Sequence, residues 1–185
     1  MNKELIELKD TIVSAIRGED LQLFDLHKKG IFFIPELAVT YLVGRAIVKN
    51  SYQIFGEEVK NWIAEHRIQD DVGPNDLILT LESNVKVVFE FKTRPKDIYR
   101  YLKDIEKLSK INDDNVIKIF CGLMEYVSGT EYNDDFIKMF EDKAKVPLHR
   151  IVEDNKFFDY FTTKDHAIQN YDKQMCCVVG LWKVE

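Results

Sequence analysis

The sequence predicts a mixed α/β fold (α+β mixed), with helices that flank one central mixed β-sheet. Apolar residues recur at helical spacing in some segments and at every second position in others. With 185 residues, 45% of them hydrophobic, the chain is long enough to bury one core. We therefore expect a single domain over residues 1–185, with a helical extension at 1–30, a core at 31–125, and a helix and strands at 126–185 that complete the sheet.

The first thirty residues predict two helices. The apolar positions of the first are Leu5, Leu8, Ile12 and Ile16. Gly18 follows them as a stop signal. A second, short helix is expected over residues 20–29, with its end at Gly30.

Pro35 suits the first position of a third helix, where its missing N–H needs no partner. The apolar positions of this helix are predicted to be Leu37, Tyr41, Gly44 and Val48. The helix is expected to fade over residues 50–55. Residues 58–68 are ambiguous between helix and strand, and the shared alternation of Trp62, Ala64 and Ile68 favours a strand.

Residues 76–82 and 85–92 alternate between apolar and other positions, which predicts a β-hairpin. Opposed residues of an antiparallel pair share a face, so burial of the odd-numbered apolar residues decides the register. A two-residue turn at Ser83-Asn84 would oppose leucines and charged residues, whereas a three-residue loop centred on Ser83 would not. Asn84 then takes a left-handed conformation. The expected pairs are Leu77 with Phe89, Leu79 with Val87, and Leu81 with Val85.

The same register places Asp76 opposite Glu90, with Lys92 two residues further along. Opposed carboxylates repel each other, and a divalent cation would remove the repulsion. Mg²⁺ prefers one or two carboxylates together with water and phosphate oxygens, and a nearby lysine can orient water or stabilise a phosphate. The alternative is a turn residue at Asp76 and a solvated strand face that carries Glu90 and Lys92.

The later segments predict one helix and one strand of the core, and further elements beyond them. Pro95 predicts the start of a helix that runs to about Lys110. Its apolar stripe is Ile98, Tyr101, Leu102, Ile105 and Leu108. A buried strand is expected at 115–123. The remaining expected elements are an acidic helix at 134–145 and strands near 149–152 and 176–184.

Gly73-Pro74-Asn75-Asp76, followed after thirteen residues by Glu90-Phe91-Lys92, resembles the PD-(D/E)XK motif of the restriction-endonuclease-like nuclease superfamily. The α–β–β–β–α–β order expected from about Ile34 to Leu123 is similar to the core of that superfamily. Here the Pro-Asp dipeptide of the motif is Pro-Asn-Asp. The resemblance implies a restriction-endonuclease-like fold and a Mg²⁺- or Mn²⁺-dependent endonuclease or exonuclease. Its reaction would be phosphodiester hydrolysis in DNA, with RNA as the less favoured substrate.

The resemblance also implies a role for each site residue. Asp76 and Glu90 would bind the metal ion together with the backbone carbonyl of Phe91, and Lys92 would activate or position the attacking water. Members of the superfamily often carry a further acidic residue on the helix before the sheet, and Glu36 occupies that position, where it would assist the metal ion or a second water. The alternative explanation for Glu36 is that an acidic residue in a first helical turn complements the helix dipole.

The helix after the motif carries basic residues on one face, which are Lys96, Arg100, Lys103, Lys107 and Lys110. Residues 92–110 include seven basic and three acidic residues, a local net charge of +4, whereas the whole chain carries -6. A basic face beside the site predicts contact of Lys96, Arg100, Lys103 and Lys107 with a nucleic-acid backbone. The alternative is a solvated face whose lysines pair with Asp97, Asp104 and Glu106.

Two other functions remain open. The first is a catalytically inactive domain of the nuclease fold that acts as a nucleic-acid- or protein-binding subunit, for example in phage defence or immunity. The second is an acidic interaction protein that binds a basic partner through residues 131–142.

The cysteines and the hydropathy predict a cytoplasmic protein without a membrane segment. Cys121, Cys176 and Cys177 are an odd number, which is unlike a disulfide framework. No apolar run reaches the roughly 18 residues that a membrane span needs. A homodimer, as in nucleases that cut both strands, is an open expectation.

Overall fold

The computed structural model describes residues 2–27, 29–93, 98–127, 142–144, 148–150, 159–162 and 175–185. These residues form helices on both faces of one sheet, as the mixed α/β prediction requires. None of the helices in these ranges combines the length and the apolar composition that a membrane crossing needs.

The first helix, α1, is continuous from Asn2 to His27, so the prediction of two helices divided at Gly18 is wrong. Gly18 has open space around its Cα, and a single glycine in a helix costs only about 1 kcal/mol. Packing offsets that cost, because Leu8, Ile12 and Leu23 are all buried along the helix. A buried carboxylate in its second half, Asp20, accepts the N–H of Ile31 at 2.8 Å and so anchors the segment that follows.

A short 3₁₀ helix at Ile31–Phe33 leads into helix α2, Glu36–Lys49, for which Pro35 is the N-cap. The buried positions of α2 are Val39, Thr40, Val43, Gly44 and Ile47. The predicted stripe is therefore partly wrong, since Leu37 is 40% and Tyr41 49% exposed. Two apolar stripes overlap on this helix, and the one centred on Val43 faces the sheet. Where the helix was expected to fade, a short helix α3 forms at Ser51–Phe55.

The strands form one seven-stranded sheet in the order β1-β2-β3-β4-β7-β5, with β6 also paired to β7. Their bounds are Val59–His66 (β1), Asn75–Leu81 (β2), Lys86–Thr93 (β3), Val116–Val127 (β4), Leu148–Arg150 (β5), Asp159–Thr162 (β6) and Met175–Val184 (β7). The pairing of β3 with β4 is parallel, and helix α4, Ile98–Ser109, connects them. The other pairings are antiparallel, so the sheet is mixed as predicted.

The strand predictions are confirmed for 58–68, for the hairpin and for the two C-terminal segments, whereas β6 was not predicted. Of the acidic helix expected at 134–145, only residues 142–144 lie within the described ranges.

The hairpin register is the predicted one. Leu77 pairs with Phe89 and Leu79 pairs with Val87. At the loop, the N–H of Leu81 donates to the carbonyl of Val85 at 2.9 Å, and Asn84 has the left-handed φ of 70°. The pairing of β2 with β3 runs only as far as Leu77, which leaves the polar ends of both strands open to other contacts.

Two cores lie on opposite faces of the sheet. Helices α1 and α2 cover the face of Leu77, Phe89 and Phe91. Helix α4 covers the face of Val88 and Phe120 through its own residues Tyr101, Ile105 and Leu108. Helix α1 therefore packs against the main core. At the C-terminal end of β3, Lys92 contacts residues of both helical layers.

Candidate functional site

The predicted site residues meet at the C-terminal end of β3. Strand β3 is central in the sheet, so Glu90 is only 1% exposed although it carries a carboxylate. The alternation of the strand turns Phe89 and Phe91 to the α2 side and leaves Glu90 and Lys92 to meet side chains of α4. The alternation of β3 thus places Glu90 and Lys92 on the same face of the strand.

Asp76 stands at the start of β2 and binds the neighbouring strand through its side chain. Its Oδ2 accepts the N–H of Phe91 at 2.7 Å, which takes the place of a further rung between the strands. Burial raises the pKa of Asp76. The Phe91 N–H and the charge of Lys107 act against that rise, and the charge of Glu36 adds to it. Asp76 is therefore within electrostatic reach of both helical layers.

Glu90 has a partner on each carboxylate oxygen. Its Oε1 accepts the side-chain amide of Asn75 at 2.8 Å, and its Oε2 lies 2.6 Å from the ammonium of Lys107. Burial raises the pKa of Glu90 to about 8, and the negative charge of Asp76 adds to the rise. The contacts with Lys107 and Asn75 do not cancel it. Lys107 thus only partly offsets the negative charge of Asp76 and Glu90, the two carboxylates predicted at the open end of the hairpin.

Lys92 joins the two helical layers. Its Nζ lies 3.0 Å from Oε1 of Glu36 on α2 and 3.1 Å from Oδ2 of Asp104 on α4. Burial lowers the pKa of Lys92, but the hydrogen bond to Glu36 and the charge of Asp104 outweigh it, and the pKa is raised overall. Lys92 therefore stays protonated at neutral pH, and it can attract an anion or orient water but cannot take up a proton.

Glu36, in the first turn of α2, lies beside Lys92. Its Oε2 accepts the backbone N–H of Thr93 at 2.7 Å and lies 3.3 Å from the hydroxyl of the same residue. The first turn of α2 is thereby attached to the end of β3.

The basic residues predicted to form one face of α4 have different environments. Arg100 and Lys103 are exposed. Lys107 turns inward to Glu90, and Lys110 pairs with Glu106 at 3.1 Å. Lys96 lies outside the described residues.

Asn75 and Asp104 are the site residues that the motif does not predict. Asn75 reaches Glu90 from the position of the inserted residue, which the departure from Pro-Asp to Pro-Asn-Asp would have indicated. Asp104 borders the apolar stripe of α4, three residues from Tyr101 and four from Leu108. The helical spacing therefore places Asp104 at the edge of the buried stripe, whereas its contact with Lys92 depends on how α4 packs against β3.

The site offers a hard cation only a small number of oxygen ligands. Within the described ranges, no three His, Cys, Asp or Glu side chains are arranged so that they could hold a metal ion. Two carboxylates, Asp76 and Glu90, are supplemented by neutral oxygens. One of these is Oδ1 of the buried Asn75, which accepts no hydrogen bond from a described residue. This set suits Mg²⁺, which binds one or two carboxylates and keeps several waters.

The charges of the site give a second measure of the fit. Four carboxyl groups surround two lysines, which leaves a formal charge of −2 when every group is ionised. A divalent cation would balance that charge.

Comparisons with known protein families, with curated proteins and with solved structures give no match to this chain.

Proposed function

We propose that the chain is a Mg²⁺-dependent nuclease that hydrolyses phosphodiester bonds in DNA through a PD-(D/E)XK-type site. The observation that carries the proposal is the convergence of Asp76, Glu90, Lys92 and Glu36, from three elements, at one end of β3. The order of a helix, three strands, a helix and a strand parallel to the third supports a restriction-endonuclease-like fold.

In this proposal Asp76, Glu90 and the carbonyl of Phe91 hold the metal ion. The bound ion would polarise a phosphate oxygen and lower the pKa of a water. Lys92 supplies a fixed positive charge for the negative charge that develops on the phosphate. Glu36 and Asp104 hold the ammonium of Lys92 in place from two sides.

DNA is the substrate that we propose, with RNA as the second candidate. Arg100 and Lys103 project from α4 into solvent and can meet phosphates next to the site. A homodimer would present two such sites to one duplex. The buried free thiol of Cys121 suits a reducing compartment, and we propose the cytoplasm.

The test is cleavage of plasmid and end-labelled linear DNA with Mg²⁺ by Asp76→Asn, Glu90→Gln and Lys92→Met. We expect each variant to lose about 100-fold or more in rate, the scale of removing one preorganised charge from an active site. Lys86→Met is the matched control, because Lys86 lies at the other end of β3. Cleavage by all three variants at the wild-type rate would refute the proposal.

A catalytically inactive domain of the same fold is the second candidate. It is favoured by one observation, which is that both lysines of the site already bind its carboxylates. Such a domain would bind DNA in fluorescence anisotropy at low salt but show no heat of Mn²⁺ binding in calorimetry. A nuclease would show both.

A further inference from the structure

Lys107 contacts the carboxylate of Glu90, which the proposed function assigns to the metal ion. It stands on α4, yet its ammonium points to the strands and lies 2.6 Å from Oε2 of Glu90. The same ammonium donates to the backbone carbonyl of Pro74 at 2.7 Å. The side chain of Glu90 is 2% exposed and that of Lys107 is 22% exposed, so the contact is largely shielded from water.

The two oxygens around Lys107 are the kinds that hard divalent cations bind. Carboxylate and backbone carbonyl oxygens are ligands for both Mg²⁺ and Ca²⁺. An ammonium carries one positive charge and three donors, and two of its donors are used here by Glu90 and Pro74. A divalent ion in the same position would bring twice the charge to the same oxygens.

We infer that Lys107 is an internal counter-ion that holds the place of the cation, and that a divalent ion displaces it from Glu90 and the carbonyl of Pro74. This rests on the proposed function, because it takes Glu90 to be a metal ligand. The inference adds the Pro74 carbonyl to the oxygens of the site. It also assigns Lys107 a role inside the site, next to Glu90, and not the contact with a phosphate backbone that the basic face of α4 predicted.

Displacement has two consequences for the energetics. Loss of the Lys107 ammonium leaves the buried carboxyl group of Glu90 without one of its two partners, which destabilises the metal-free protein. The same loss removes the competitor for the metal, so the divalent ion binds more tightly and stabilises the folded protein by a larger amount. A lysine with a purely structural role would give the first effect without the second.

The experiment compares Lys107→Met with the wild-type full chain. Lys103→Met is the matched control, because Lys103 is exposed on the same helix and forms no ion pair with another described residue. The dissociation constant for Mn²⁺ is measured by calorimetry, and Tm is measured in EDTA and in Mn²⁺. We expect Lys107→Met to bind Mn²⁺ about tenfold or more tightly than wild type, since a buried counter-ion is removed. Its Tm in EDTA should be lower, and its rise in Tm with Mn²⁺ larger, while Lys103→Met resembles wild type.

A second variant keeps the inference testable if Lys107→Met does not fold. Arginine at this position offers a bidentate, permanently charged partner to Glu90, so Lys107→Arg should bind Mn²⁺ more weakly than wild type. If wild type binds Mn²⁺ and neither variant changes the affinity in the expected direction, the inference is overturned and the proposed function stands. If neither wild type nor the variants bind Mn²⁺, the proposed metal-dependent function is overturned with it.

Discussion

Asn75 is fully buried, and only one half of its carboxamide has a partner among the described residues. Its Nδ2 donates to Glu90 at 2.8 Å, which fixes the orientation and leaves Oδ1 as an unused acceptor. A buried polar atom without a hydrogen bond costs about 1–3 kcal/mol. Such a cost is tolerated most readily where the atom has a second use, and a neutral amide oxygen is a ligand that a hard cation can bind.

Glu90 makes the stability of the protein depend on pH. Its pKa is raised from 4.5 to about 8 by burial and by the charge of Asp76, so between these two values the folded state holds a proton that the unfolded state has released. The free energy of unfolding should therefore fall as the pH rises through this range.

We expect urea unfolding in EDTA to show this decline between pH 5 and pH 8.5 for wild type, and a flatter profile for Glu90→Gln, which cannot ionise. Parallel profiles for the two proteins would mean that Glu90 is ionised throughout. Adding Mg²⁺ to wild type should reduce the decline, because a bound cation favours the carboxylate form.

At the scale of elements, α2 and β1 pack so closely that the helix needs a glycine. A Cβ on Gly44 would lie 2.7 Å from Cζ3 and 2.9 Å from Cε3 of the Trp62 ring. The ring of Tyr41 meets the same indole edge-on at 5.5 Å and leaves it little room to move.

Gly44→Ala should therefore destabilise the protein by about 1–3 kcal/mol, the usual range for an overpacked core. Gly18→Ala is the matched control, because it also lies within a helix but has nothing within 4 Å of the added Cβ. It should stabilise the protein by up to about 1 kcal/mol through helix propensity. The measurement is urea unfolding of both variants, and a Gly44→Ala protein as stable as wild type would contradict the close packing.

The elements differ in how far the sequence could predict them. The hairpin register followed from one requirement, that Leu77, Leu79, Val87 and Phe89 share a buried face. The face of α2 did not follow, because the Leu37 and Val43 stripes are both apolar and only the packed sheet selects between them. The contacts of Asp104 and Lys107 depend on how α4 rotates against β3, and no local pattern specifies that rotation.

At the scale of the whole molecule, the charge of -6 is unevenly distributed. Four carboxyl groups are concentrated around Lys92 and Lys107, while Arg100 and Lys103 are exposed on the adjacent helix. Arg100 and Lys103 would therefore offer positive charge to an anionic backbone beside the site.

Arg100→Gln/Lys103→Gln should weaken DNA binding at all sequences and reduce the slope of log K against log salt by about 2. Anisotropy titrations over a range of salt concentrations measure both quantities. Lys49→Gln is the matched control, since Lys49 lies at the opposite end of α2 from Glu36. An unchanged slope in the double variant would place the DNA elsewhere on the protein.

The ion pairs of Lys92 connect the two layers of the molecule around the end of one strand. Although α2 and α4 cover opposite faces of the sheet, Glu36 and Asp104 both contact this ammonium. Lys92 thus connects the two helical layers and also supplies a positive charge to the site. Lys92→Met removes both contributions together. The rate loss of Lys92→Met should therefore have two parts. Weaker attachment of α2 and α4 to β3 will be accompanied by a lower Tm. The rate loss that remains when variant and wild type are equally folded reports the contribution of the charge to catalysis.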